Sequence, residues 1–150
     1  MYDLSNIAVL LPVYKNDNAN YLSFSVESIL KQTYRNIIIF IGIDGPIGNE
    51  LYRCLQKYEN HSQIRIIYFP ENRGLAMVLN DLIMMCHKES IDFIARMDAD
   101  DISVPNRLAN QVNYLLLHPE VDVVGGRIEE INEQSERNGK SVTYPLTHQE

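Results

Sequence analysis

The chain has 150 residues, 45% of them hydrophobic and 22% charged, with a formal net charge of −7 at neutral pH. That length and balance describe one soluble globular domain with a sizeable core. The acidic balance argues against a nucleic-acid partner, whose phosphates call for a basic face, and the longest apolar run, Ile37 to Ile43, is too short to span a bilayer.

The N-terminal stretch MYDLSNIAVLLPVY lacks the basic region and small-residue cleavage site of a signal peptide, so a reduced, cytoplasmic setting is expected. Cys54 and Cys86 fall in helix-like segments and read as ordinary buried thiols. Ile7 to Val13 (IAVLLPV) is an apolar run with Pro12 near its end, the pattern of a buried parallel strand entering a loop. After the polar loop Tyr14 to Asn18, the residues Leu22, Val26, Ile29 and Leu30 repeat at helical spacing, predicting a helix to about Gln32. Ile37 to Ile43 is a second strand, closed by the turn signal Asp44-Gly45-Pro46. Leu51, Leu55 and Tyr58 mark a second helical face, and Ile64 to Phe69 a third strand, stopped by Pro70.

Beyond Glu71 to Gly74 comes the best-formed amphipathic helix, with Leu75, Val78, Leu79, Leu82, Ile83 and Cys86 on one stripe. Phe93-Ile94-Ala95 then opens a fourth strand, read as buried, which stops abruptly in Asp98, Asp100 and Asp101. A helix is expected from Pro105, with Leu108, Val112, Leu115 and Leu116 inward and His118-Pro119 as its stop. Val121 to Gly125 reads as a short strand, the sequence is polar through Lys140, and Val142 to Tyr144 reads as a last strand.

Apolar strands alternating with helices predict an α/β fold, a three-layer α/β/α sandwich on a mainly parallel sheet. Right-handed crossovers put the C-terminal ends of parallel strands on one edge. That edge gathers Pro12-Val13-Tyr14, Asp44, Glu71 to Gly74 and Asp98 to Asp101. Asp98 and Asp100, at i and i+2 on an extended backbone, point the same way and can meet on one hard cation. Mg²⁺ or Mn²⁺ in such a site keeps positions open for substrate phosphates, which suggests a metal-bridged diphosphate site. The plainer reading is a solvated turn or helix cap. Three acids within four residues repel one another, however, unless a cation or solvent screens them. A calcium loop does not fit, because Ser103 and Ala109 stand where it needs Gly and Glu.

Other chemistries lack their motifs. No strand is followed by the glycine-rich dinucleotide fingerprint, and no Ser or Cys sits in a nucleophile elbow. Gly139-Lys140-Ser141 imitates the end of a phosphate loop, but Gln134 replaces its leading glycine. His61, His87, His118 and His148 show no metal spacing.

The segments LPVY at 11–14, SILKQTY at 28–34, IDGP at 43–46, ENRGLAMVLN at 71–80, ARMDADDISVPNRLANQ at 95–111 and VDVVGG at 121–126 come in the order of a known family. With them the chain resembles the N-terminal part of a family 2 glycosyltransferase of GT-A fold, among the bacterial enzymes that build capsule, O-antigen or lipooligosaccharide chains. The resemblance implies one donor-binding domain over 1–150, cut before the acceptor-binding half. It implies a nucleotide-sugar donor, UDP-linked, and a saccharide or lipid-linked saccharide acceptor. Pro12, Val13 and Tyr14 would lie beside the base, Asp44 would accept from a uracil ring nitrogen, and Arg73 would approach base or phosphates. Asp98, Ala99 and Asp100 would meet the ribose and diphosphate, with Asp100 and Asp98 at the Mn²⁺ or Mg²⁺. Arg107 is expected to fix the loop by pairing with Asp101, and Asn80 to pack or anchor as readily as to bind.

The family's transfer inverts the sugar and uses a carboxylate base from a later motif. No counterpart stands out here, since Glu129, Glu130 and Glu133 fall in a polar stretch. A catalytically incomplete nucleotide-binding module is therefore the second reading. A sugar nucleotidyltransferase is the third, but Tyr14-Lys15-Asn16-Asp17 lacks the glycine-rich loop it needs. A purely structural domain leaves the clustered acids unexplained.

Overall fold

The computed structural model describes residues 5–142, which fall into two compact units, one up to Asn110 and one from Gln111 onward. The first holds strands β1 (Ile7–Val13), β2 (Ile37–Asp44), β3 (Ile64–Phe69) and β4 (Phe93–Arg96), with helices α1 (Ala19–Leu30), α2 (Asn49–Gln56) and α3 (Leu75–Cys86). Helix α4 (Arg107–Leu117) starts in it and ends in the second, which also holds β5 (Ile128–Ile131) and β6 (Arg137–Val142).

The four strands form one parallel sheet in the order β3-β2-β1-β4. The chain steps outward from β1 to β2 to β3 and then returns across β1 to β4. Right-handed crossovers therefore put α1 and α2 on one face and α3 on the other. Ala8, Leu10 and Phe40 meet Val78, Leu82 and Cys86 on the α3 face. Ile7, Val9, Leu11 and Val13 alternate to the opposite face and are at most 1% exposed. Burial on both faces is why β1 reads as an unbroken apolar run. Helix α1 starts where the Asn18 side chain accepts the N–H groups of Asn20 and Tyr21 at 2.8 and 3.3 Å. It is tied to α2 by Cys54 Sγ donating to Ala19 O, and to the turn just after α2 by the Ser23 and Tyr58 hydroxyls, 3.1 Å apart.

Gly42 is what lets α3 lie close to β2. A Cβ there would stand 2.7 Å from Val78 Cγ1 and 3.0 Å from Leu82 Cδ1. Because both partners are themselves fully buried, Gly42→Ala is expected to cost about 1–3 kcal/mol of stability, read by urea denaturation.

Several expectations need correction. Among the described residues β4 is not buried: it is the sheet edge beyond β1, with Ile94 45% exposed and Arg96 also exposed. Helix α4 begins at Arg107 rather than Pro105, because the Pro105 carbonyl is taken by the Thr33 N–H (2.8 Å) and the Arg107 N–H turns back to Val104 O. Leu108 and Val112 are buried as expected, but Leu116 is 50% exposed. Residues 121–125 form no strand, while the polar stretch after Gly126 folds into the antiparallel pair β5–β6. Thr143 and Tyr144 of the expected last strand, and His148, lie outside the described residues. Among the described residues, no helix is long and apolar enough to cross a membrane. Cys54 and Cys86 are free thiols and buried, as read.

Candidate functional site

The C-terminal ends of β1, β2 and β4 and the start of α3 enclose a cleft of about 460 Å³. β1 and its loop contribute Pro12, Val13, Tyr14 and Asp17; β2 contributes Asp44. The start of α3 adds Asn72, Gly74, Leu75 and Val78, and the end of β4 adds Arg96, Asp98, Ala99 and Asp100. The volume suits a small organic ligand, and the edge position is the usual one for ligands in open parallel sheets. Of the residues singled out in the sequence, Pro12, Val13, Tyr14, Asp44, Asp98, Ala99 and Asp100 come together here.

Asp44 is only 5% exposed, and its carboxylate is occupied. Oδ1 accepts the Arg73 N–H at 2.7 Å, Oδ2 accepts the Gly74 N–H at 2.9 Å, and Asn72 Nδ2 donates to the Asp44 carbonyl at 3.1 Å. Asp44 thus anchors the two residues that lead into α3, whose N-cap, Gly74, has no side chain of its own to hold the start of the helix. The turn that delivers it depends on Gly45, where φ is 82° and a Cβ would lie 2.6 Å from Asn72 N. Arg73 is not among the residues lining the cleft: its guanidinium pairs with Asp81 and lies 5.0 Å over the Phe69 ring. Asn80 is exposed on α3.

The acidic side differs from the sequence expectation in one respect. Asp98 and Asp100 do not sit on extended backbone; β4 ends at Arg96, and a turn follows, with the Asp101 N–H reaching Asp98 O at 3.3 Å. Both acids nevertheless line the cleft. Among the described residues, no three acid, imidazole or thiol groups are gathered closely enough to hold a cation alone. Asp98 instead holds a cation of the chain itself, since Arg96 Nη2 donates to Oδ1 at 2.7 Å and to Oδ2 at 3.0 Å. Arg107 braces this end of β4, with Nη2 donating to the Arg96 carbonyl (2.9 Å) and Nη1 to Met97 Sδ. Burial lowers its pKa, and the charges of Asp101 and Asp98 oppose that shift.

The sequence reading missed Asp17 and Arg96. The signal for both was position: an acid in the first loop of the same sheet edge, and the last residue of the strand that leads to the acids. Burial raises the Asp17 pKa, the Tyr14 N–H on Oδ2 (2.9 Å) pulls it back, and the charges of Asp100 and Asp98 push it up again. Asp101 is raised in the same way, by burial and then by Asp98 and Asp100, with Arg107 and Arg96 opposing. A carboxyl whose pKa is raised by folding favours the folded chain when protonated. That contribution is complete below pH 3.8 and is lost as the pH rises through the raised value. Asp17→Asn is therefore expected to melt at or above the wild-type temperature at pH 7, and the difference should vanish near pH 3, as read by thermal melts across that range.

Glu129, Glu130 and Glu133 lie in the second unit and are exposed. Glu129 pairs with Arg137 at 2.9 Å, and Glu130 accepts from Asn138.

A family model described as Glycosyl transferase family 2 matches residues 8–149. The O-antigen biosynthesis glycosyltransferase WbnJ of Escherichia coli is 37% identical over 142 residues, covering 95% of this chain and 53% of that protein. Among solved structures, S. aureus TarS 1-349 in complex with UDP-GlcNAc has a TM-score of 0.63 at 17% identity, over 76% of this chain and 32% of that one. The mannosyltransferase PcManGT from Pyrobaculum calidifontis, in complex with GDP-Man and Mn²⁺, has a TM-score of 0.58 at 18% identity, over 85% and 36%. These two likenesses are of fold. The chain spans about half the length of several curated relatives it matches, 45% to 53%, and only 18% of the bifunctional glycosyltransferase pgtA of Dictyostelium discoideum.

Proposed function

The chain belongs to glycosyl transferase family 2 and has the GT-A fold of glycosyltransferases related to bacterial polysaccharide biosynthesis, and from that premise we propose that its cleft holds a UDP-linked sugar for inverting, metal-dependent transfer. The acceptor in this reading is a saccharide, free or lipid-linked. The observation that carries the reading is the meeting of Pro12 to Tyr14, Asp44, Asp98 and Asp100 around one cleft, from three strand ends separated in sequence.

The residues present fit a divalent cation. Two carboxylates offer hard oxygen donors and leave positions for phosphate oxygens, and Asp98 already carries a cationic partner in Arg96. A bound Mn²⁺ or Mg²⁺ supplies positive charge against the negative charge that develops on a departing diphosphate. Asp98 and Asp100 would hold it, and Arg96, once displaced from Asp98, is within the cleft to face the phosphates. Pro12, Val13 and the Tyr14 ring offer a surface for the base. Each oxygen of Asp44 uses one lone pair on the N–H of Arg73 or Gly74 and keeps another for a base N–H.

In the transfer, an acceptor hydroxyl oxygen forms a bond to the anomeric carbon on the face opposite the diphosphate. The bond to the diphosphate oxygen breaks with its electron pair, and the hydroxyl proton passes to a carboxylate base. Asp98 and Asp100 are committed to the cation and Asp44 to α3, so this base is a group other than these three.

The test is a calorimetric titration of UDP and of GDP into the chain, with and without Mn²⁺. UDP binding that is strengthened by Mn²⁺ is expected. Equal binding with and without the metal would remove the aspartates from the phosphates, and preference for GDP would overturn the uridine assignment.

A further inference from the structure

The motif SILKQTY has no part in the cleft, yet its Gln32 is buried against the acidic loop and its Ser28 bonds to that loop. Gln32, just past the end of α1, is 0% exposed. Its Nε2 donates to Val104 O at 2.7 Å, to Ser103 Oγ at 3.2 Å and to Ser28 O at 3.2 Å, while its Oε1 accepts the Leu108 N–H at 3.0 Å. Ser28 Oγ accepts the Ser103 N–H at 3.0 Å and donates to Ser25 O. Ser25, also 0% exposed, donates to the carbonyl of Asp98 itself at 2.9 Å. The Thr33 N–H closes the set on Pro105 O at 2.8 Å.

Together these bonds hold the loop backbone at Asp98, Ser103, Val104, Pro105 and Leu108. The holder is a rigid element, because Leu22, Val26 and Ile29 fix α1 in the core at 0% exposure. The charges on the loop work the other way, since Asp98, Asp100 and Asp101 are like charges within four residues, and the hydrogen bonds from α1 hold the backbone against their repulsion. A buried amide meeting carbonyls on its nitrogen side and an N–H on its oxygen side also explains why glutamine is used: a glutamate would set charge against Val104 O and Ser28 O.

We propose that Ser25, Ser28 and Gln32 are positioning residues for donor binding: through the loop backbone they set where Asp98 and Asp100 stand, so that the two carboxylates are placed for one cation before it arrives. The proposal rests on the donor-site reading given above. It predicts a loss confined to the metal-linked part of binding, which a purely stabilising network would leave alone.

The experiment compares Gln32→Met and Ser25→Ala with the wild-type chain. The quantity read is the ratio of UDP dissociation constants without and with Mn²⁺, on protein shown folded by circular dichroism. The expected result is a ratio reduced about tenfold in each variant, with metal-free UDP binding unchanged, the size typical when support of metal ligands is removed. Should Gln32→Met fail to fold, Ser25→Ala, which removes one hydroxyl, carries the comparison. An unchanged ratio, whatever the melting temperature does, overturns the proposal. If the wild type shows no effect of Mn²⁺ at all, the donor reading has failed instead. Amide exchange then decides the anchoring: faster exchange at Ser103 and Leu108 in Gln32→Met supports it, and unchanged exchange overturns it.

Discussion

Asp100→Asn is expected to weaken Mn²⁺-linked UDP binding by roughly 100-fold or more while leaving the folded chain intact, since even indirect support of a metal ligand is worth 10–100-fold. The carboxamide has the shape of the carboxylate but not its charge, and it offers one neutral oxygen to a cation that prefers anionic ones. Stability should move the other way. Asp100 is exposed, and its charge raises both Asp17 and Asp101. Removing it relieves repulsion, so the metal-free variant should melt at or slightly above the wild-type temperature. Calorimetry and a thermal melt on the same preparation check both signs. Loss of binding together with a lower melting temperature would mean that Asp100 holds the loop rather than a ligand.

The second large effect is at Asp44, and it falls on stability first. Asp44→Ala leaves the N–H groups of Arg73 and Gly74 without their acceptor and removes a negative charge from the start of α3. Two charge-assisted bonds at a 5% exposed residue put the loss at about 3 kcal/mol or more. Asp44→Asn keeps one acceptor oxygen but turns an NH₂ group toward the other N–H, so it should fall between the two. Urea denaturation measures the series. UDP binding without metal should weaken in parallel, because Asn72, Gly74 and Leu75 form a wall of the cleft. A change below about 1 kcal/mol in Asp44→Ala would show that water replaces the carboxylate, and the anchoring role would be withdrawn.

β1 and β2 were legible because strands in the middle of a parallel sheet lose both faces to helices, and the sequence then shows unbroken apolar runs; β3, at one edge, was legible from its β-branched and aromatic residues and the Pro70 stop. The convergence of Pro12, Asp44 and the aspartates followed from topology alone. β4 was legible as a strand but not as an edge. Phe93 and Ala95 are half-buried while Ile94 and Arg96 are exposed, and that no further strand of the described residues pairs beyond β4 is not written in four residues. The argument that Asp98 and Asp100 point alike assumed an extended backbone. The turn that brings them to the cleft is fixed by Ser25, Ser28 and Gln32, some 70 residues earlier, and no local pattern announces such partners. Arg73 was placed toward a ligand on the family pattern, whereas Phe69 and Asp81 hold its side chain within its own neighbourhood. The β5–β6 hairpin escaped notice because every residue in its strands is exposed, so no alternation of apolar and polar residues marks a buried side.

The return of the chain across the sheet has a kinetic consequence. At the β1–β4 seam, Asn6 and Asp92 are bonded although 86 positions apart, while β1 and β2 pair Ile7 with Ile37. Closing the longer loop costs more chain entropy and rewards it later, so β4 should join last. The wall bearing Pro12 and Asp44 then exists before the wall bearing Arg96, Asp98 and Asp100. A chain caught before that final step presents half a cleft. A ligand that bridges the two walls acts on the unfolding rate, by closing the seam that opens first, and leaves the earlier steps of folding untouched.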